Sequence, residues 1–121
     1  MADSTLVVHR MADVHVIEFI DRSILEQRSI DRVERDLTRL AEEAGWPRFV
    51  ISFSGVGSIA SSVLGMLMSV NKKITSLKGE MRLSNVDPRI LEVFQLTRLD
   101  KVLKIYRTTP DALKGFGGNE K

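Results

Sequence analysis

Apolar and polar positions divide the chain into short β-branched runs and amphipathic helical stripes, which alternate after an opening pair of strands. Leu6-Val7-Val8 and Val14-His15-Val16-Ile17-Glu18-Phe19-Ile20 are rich in residues that favour strands. Met11-Ala12-Asp13 makes a tight connection between them, so the two predict an N-terminal hairpin. The period-2 contrast of the second run is weak, which predicts partial cover on both of its faces. Ile30, Val33, Leu37, Leu40, Ala41 and Ala44 form one stripe of an amphipathic helix. Ser29 is the expected N-cap, with a start nearer Leu25 as the alternative. Gly45 supplies the stop, and Pro47 prevents continuation.

Arg48-Phe49-Val50-Ile51-Ser52-Phe53 is apolar almost throughout and bounded by Pro47 and Gly55, as in a strand buried on both faces. Ser54-Gly55-Val56-Gly57-Ser58 reads as a turn. Ile59, Val63, Met66, Leu67, Val70, Ile74 and Leu77 form a second helical stripe, entered through Ala60-Ser61-Ser62 and ended by Lys78-Gly79. Met81 to Val86 is a short strand. Asp87-Pro88 starts a helix, because proline at the first helical position loses no hydrogen bond, and Ile90, Leu91, Val93 and Phe94 supply its apolar face. Leu99 and Val102-Leu103 lead to a last strand near Lys104-Ile105-Tyr106. Pro110 to Lys114 adds a helical turn, and Gly115 to Lys121 reads as a flexible tail. This order predicts an α/β fold: a mixed sheet of about five strands, mostly parallel with an antiparallel N-terminal edge, flanked by about four helices.

The 121 residues, 43% of them hydrophobic, suit one domain over residues 1–121, with its core at about 5–113. The formal charge of +2 says little about partners, and Asp31-Arg32-Val33-Glu34-Arg35-Asp36 alternates in sign like a solvated helix face. No basic stripe interleaved with aromatics is present, so direct nucleic-acid binding is not expected. The absence of cysteine excludes disulfides and thiolate chemistry. The N-terminus lacks a basic start followed by an apolar run, and no segment approaches ~18 apolar residues, so a cytoplasmic protein without a membrane span is expected. His9 and His15 are the only imidazoles and lie in strands. No metal, cofactor or catalytic set is expected from them, and no nucleophile–base–orienter group is visible.

The most informative segment runs from Ser54 to Ser62. Gly55-Val56-Gly57 is not followed by the Gly-Lys-Ser/Thr of a phosphate loop, and position 60 is alanine where the dinucleotide fingerprint needs glycine. One reading is a turn whose serines cap the helix. The other is a switch. A helix N-terminus at the carboxyl end of a central strand presents unpaired N–H groups and a positive dipole end, where a phosphorylated serine is tolerated while its charge blocks a docked partner.

Val50-Ile51-Ser52-Phe53-Ser54-Gly55-Val56-Gly57-Ser58-Ile59-Ala60-Ser61-Ser62-Val63-Leu64-Gly65 resembles the STAS-domain pattern, in which a buried strand and a loop precede a motif close to Ile-Asp-Ser-Ser-Gly-Leu-Gly. Leu83-Ser84-Asn85-Val86-Asp87-Pro88 extends the likeness, which covers about Thr5 to Leu113. The resemblance implies a non-enzymatic anti-sigma factor antagonist in a partner-switching pathway. It would bind an anti-sigma factor serine kinase, which phosphorylates Ser61, next to Ser62. It further implies a partner face of Asp21, Arg22, Ser23, Gly55, Val56, Ser58, Ala60, Ser61, Ser62, Asn85 and Val86, and it is compatible with a homodimer. Ala60 stands where the family has aspartate, and Val63 where it has glycine. Both departures favour the alternative, a STAS scaffold or a ligand-, lipid- or nucleotide-sensing module without a phosphoswitch.

Overall fold

The computed structural model describes residues 6–116. Strand β4 (Arg48–Ser52) is buried at every position. It lies between β2 (Val14–Phe19) and β6 (Glu80–Ser84) and is parallel to both. Strand β7 (Lys104–Tyr106) extends the sheet in parallel beyond β6, and β1 (Leu6–Met11) pairs antiparallel with β2 at the other edge. The order β1-β2-β4-β6-β7 is the expected mixed five-stranded sheet with its antiparallel N-terminal edge. Among the described residues four α-helices accompany it: α1 (Gln27–Ala44), α2 (Ser61–Ser76), α3 (Pro88–Leu96) and α4 (Thr109–Leu113).

Strand alternation divides the core into two unequal parts. Ile17, Phe49, Ile51, Met81 and Leu83 pack with the stripes of α1 (Ile30, Val33, Leu37, Ala41) and α2 (Val63, Met66, Leu67, Val70, Ile74), joined by Ile90 and Phe94 of α3. Val14, Val16 and Val50 point to the opposite face, where Ala112 and Phe116 cover them. Cover on both faces is why β2 reads poorly as an alternating strand. The second face is closed by Arg82, which is buried and whose Nη1 donates to the carbonyls of Ala112 (2.9 Å) and Lys114 (2.7 Å), tying the end of α4 to β6.

Several boundaries differ from the sequence expectation. Helix α1 starts at Gln27 behind Glu26, not behind Ser29, and no side chain caps it; the Gln27 amide instead donates to Asp31 (2.8 Å). Ile20 is exposed beyond the end of β2. The segment read as a turn contains a two-residue strand, β5 (Ser58–Ile59), paired in parallel with β3 (Ser23–Ile24). Ile59 therefore precedes α2 rather than belonging to it. Strand β6 stops at Ser84, because Asn85 adopts a left-handed backbone with φ 55°. Helix α4 starts at Thr109, with the Thr108 hydroxyl accepting from the Asp111 N–H. Of the segment read as a tail, Phe116 is buried beneath the Arg82 guanidinium, 4.0 Å from its ring centre. Residues 117–121 lie outside the described range. The expected Gly45 stop and the Asp87-Pro88 helix start are both present; the Asp87 carboxylate accepts from the Arg89 N–H (2.8 Å).

Two predictions follow from this packing. A Cβ at Gly79 would collide with the Pro47 carbonyl, a backbone group that cannot rotate away. Gly79→Ala is therefore expected to destabilise by about 1–3 kcal/mol, read from urea denaturation. His15 is buried edge-on against Phe49, with ring centres 5.5 Å apart, and its Nδ1 has no hydrogen-bond partner. Burial, and secondly the Arg10 charge, hold its pKa below the ordinary 6.5. The unfolded chain thus takes up a proton there more readily than the folded one, so stability falls as pH drops below about 6.5. The melting temperature is expected to decline between pH 7 and 5.5, and His15→Leu to flatten that slope.

Candidate functional site

The carboxyl ends of β4 and β6 carry the site. Phe53 prolongs β4, donating its N–H to the Ser84 carbonyl (2.9 Å), and the Val56 N–H turns back to the Phe53 carbonyl (2.9 Å). Gly55, at φ 85°, occupies the left-handed region that a side chain would strain. The loop then meets the chain leaving β2. The Gly57 N–H donates to the Arg22 carbonyl (2.8 Å), Ser23 and Ile24 pair with Ser58 and Ile59, and the Ala60 N–H donates to the Ile24 carbonyl (2.8 Å). The Asp21–Ser23 loop and the Ser54–Ser62 loop are thus joined through their backbones.

Helix α2 begins at Ser61 behind Ala60, whose extended backbone (φ −79°, ψ 154°) makes the N-cap. No side chain caps this end and its first turn holds no acidic residue. The reading of the serines as helix caps is therefore not what the structure shows. Ser61 and Ser62 are exposed at the uncompensated positive end of the helix dipole. Val63 is fully buried, so its bulk relative to glycine goes into the core and leaves Ser61 open.

A third segment completes the surface. Gly55, Val56 and Gly57 face Asn85, Val86 and Asp87 across an open cleft of ≈ 440 Å³. The Arg89 guanidinium reaches over this cleft, 3.8 Å from the place a Cβ would take on Gly57. It hydrogen-bonds to Asp87 (Nε to Oδ1, 3.2 Å), which holds the Asp87 carboxyl below the usual carboxylate range and raises Arg89. Of the residues singled out in the sequence, Asp21, Arg22, Ser23, Gly55, Ser58, Ser61 and Ser62 are exposed, and Ala60, Asn85 and Val86 half-buried. Val56 is 2% exposed and lies in the core, so it can offer a partner only its backbone.

Beneath the loop lies a polar network that sequence reasoning missed. The Asn85 amide donates to Ser52 Oγ (3.0 Å) and Thr109 Oγ1 (2.9 Å), and Ser84 Oγ lies 2.9 Å from Thr109 Oγ1. Ser52 Oγ in turn accepts from the Ser54 N–H (3.2 Å). One side chain thereby ties β4, β6, α4 and the loop together. The available signal was a pair of serines ending two otherwise apolar strands, and Ser52 and Ser84 are indeed register partners. The histidines lie elsewhere: His9 Nε2 is 3.9 Å from Glu18 on the β1–β2 hairpin, and His15 is buried. Among the described residues no cluster of three or more His, Asp or Glu fits a metal ion, and no helix is long and apolar enough to cross a membrane.

Known proteins share this architecture. The STAS domain profile matches residues 11–112. A protein of Thermotoga neapolitana, named as a candidate anti-sigma factor antagonist, is 32% identical over 74 residues, 61% of this chain and 66% of that protein. A candidate anti-sigma factor antagonist of Thermotoga maritima is 33% identical over 70 residues, 58% of this chain and 62% of that protein. The matches thus span less than two thirds of those relatives. Among solved structures, an anti-sigma-factor antagonist (STAS) domain protein from Planctomyces limnophilus superposes with a TM-score of 0.80 at 26% identity, covering 89% of this chain and 94% of that one. The phosphorylated form of SpoIIAA from Bacillus superposes at 0.69 and 15% identity, covering 89% and 96%, which is a likeness of fold. By its sheet order, by the helix that starts at Ser61 and by the profile match over most of its length, this chain belongs to the STAS domain family.

Proposed function

We propose that this protein is an anti-sigma factor antagonist that binds an anti-sigma factor serine kinase through the surface around Ser61, and that phosphorylation of Ser61 releases it. The observation that carries this reading is the exposed, uncapped start of α2, to which the Asp21–Ser23 and Ser54–Ser58 segments are joined through their backbones, with Asn85–Asp87 facing the same loop across the cleft. Phosphate on Ser61 adds about −1.5 to −2 charges. The helix dipole stabilises such charge by roughly 0.3–1 kcal/mol, so the domain keeps its fold. A partner seated on the same surface meets a bulky dianion instead of a hydroxyl. The names of the Thermotoga relatives support the antagonist role. The switch requires no catalysis by this chain.

Ala60 favours a second reading, a STAS scaffold or sensing module without phosphorylation, since it removes the aspartate that the family pattern carries beside the serine. Incubation with the cognate kinase and ATP separates the two. A single phosphate mapping to Ser61 by mass spectrometry is expected, with none in Ser61→Ala. Calorimetry is expected to show kinase binding by the unmodified protein and a loss of at least about tenfold, 1.4 kcal/mol, in Ser61→Asp. No phosphate together with no complex counts against the antagonist reading. Native mass spectrometry showing a large homo-oligomer or a copurified ligand favours the second.

The loop pose depends on the network beneath it. Asn85→Ala removes one hydrogen bond each from the Ser52 and Thr109 hydroxyls and forces a side chain with no amide into a left-handed backbone. A loss of about 1–3 kcal/mol in urea denaturation is expected, with weaker partner binding although Ser61 is intact.

A further inference from the structure

At the amino ends of β4 and β6, away from Ser61, an arginine is buried with one guanidinium nitrogen left without a hydrogen bond. Arg48 opens β4 with a side chain only 6% exposed. Its Nη1 has no hydrogen-bond partner, and its nearest carboxylate, Asp13 Oδ2, stands at 3.6 Å on a side chain that is 75% exposed. The guanidinium carbon lies over the Trp46 ring, 3.5 Å from its centre. Trp46 is itself held by its indole N–H, which donates to the Lys78 carbonyl (2.8 Å). Buried guanidinium donors are nearly always paired, because leaving a charged group dry and unpaired is costly.

Arg48, Trp46, Lys78, Glu80 and Phe116 line a cleft of ≈ 220 Å³, the room of several water molecules at about 30 Å³ each. Glu80, the one acid among those lining it, is already committed. Arg82 Nε and Lys104 Nζ hydrogen-bond to the same Glu80 oxygen at 2.8 and 2.9 Å. Burial raises the Glu80 carboxyl, but these two cations outweigh it and its pKa stays below the ordinary value. Of the charged residues lining the cleft, Arg48 and Lys78 are cations and Glu80, already paired with Arg82 and Lys104, is the one carboxylate.

We propose that this cleft is a binding subsite for a small oxyanion, a phosphate or carboxylate group accepted by the Arg48 guanidinium beside the Trp46 ring. A guanidinium fork suits the two oxygens of either group. Trp46 floors the fork and restricts its rotation. Asp13 is the competing carboxylate, close enough to lower affinity and too far to satisfy the donor. The subsite is independent of phosphorylation at Ser61, so the two readings stand or fall separately.

Trp46 is the only tryptophan of the chain, so its fluorescence reports on the cleft directly. The full-length protein is titrated with sodium phosphate and with sodium acetate against sodium chloride at matched ionic strength. A saturable change with phosphate, acetate or both, absent with chloride, is expected, and the anion that saturates first identifies the group. Arg48→Lys, which keeps the charge and loses the fork, is expected to weaken binding about tenfold. Asp13→Ala alters an exposed turn side chain and is expected to tighten binding several-fold, which carries the test if Arg48→Lys does not fold. No saturable response to either anion, the same response to chloride, or an affinity unchanged by Asp13→Ala overturns the proposal.

Discussion

The parallel pairing of β4 with both β2 and β6 is the constraint on which the rest of the structure depends. Every residue of β4 is buried, so its backbone groups have no access to water and must be met by the two neighbouring strands. Its side chains must also match a hydrophobic surface on each face: Phe49 and Ile51 toward α1 and α2, Val50 toward α4. A register slip of one residue would exchange these faces. The same register sets Ser52 opposite Ser84, where both hydroxyls reach the Asn85–Thr109 network. The geometry under the candidate switch is therefore a consequence of how the central strand is buried.

Above that network, the surface is organised by backbone more than by side chains. The Arg22 and Ile24 carbonyls receive the N–H groups of Gly57 and Ala60, and β3 pairs with β5 over two residues on each side. Such a link is nearly indifferent to side-chain identity. The Asp21–Ser23 and Ser54–Ser62 loops can thus hold a fixed relative position whatever their exposed side chains. The departures at Ala60 and Val63 fit this division. Val63 changes the packing under the helix, and Ala60 keeps its backbone bond to Ile24.

The two ends of the sheet carry opposite electrostatic arrangements. The carboxyl end presents a bare helix N-terminus and the Asp87–Arg89 pair, in which each charge is matched. The amino end gathers Arg48, Arg82 and Lys104 around Glu80 and leaves one guanidinium nitrogen unmatched. The interposed β-sheet, packed on both faces, keeps the two from sharing charged groups.

Much of this was legible in the residues. The stripes of α1 and α2, the Gly45 stop, the Asp87-Pro88 start and the buried character of Arg48–Phe53 depend on periodicity and on local backbone preference, which act within a few residues. The likeness around Ser61 lay in a contiguous segment, and so did the expectation of a helix beginning near it. What only the tertiary structure decided involves residues far apart in the chain. The β3–β5 pairing is too short to carry a strand signal and exists because two loops meet. Asn85 joins residues on three elements, and Phe116, seven residues after Thr109, is buried because α4 folds back across the sheet and Arg82 lies on its ring. Arg48 reads in the sequence as the polar start of a strand; its burial on Trp46 with an unpaired nitrogen follows from how the sheet and the α2–β6 connection close over it. Local sequence could therefore place Ser61 near a helix start, while the surroundings of Ser61 and Arg48 depended on long-range packing, which sequence periodicity does not encode.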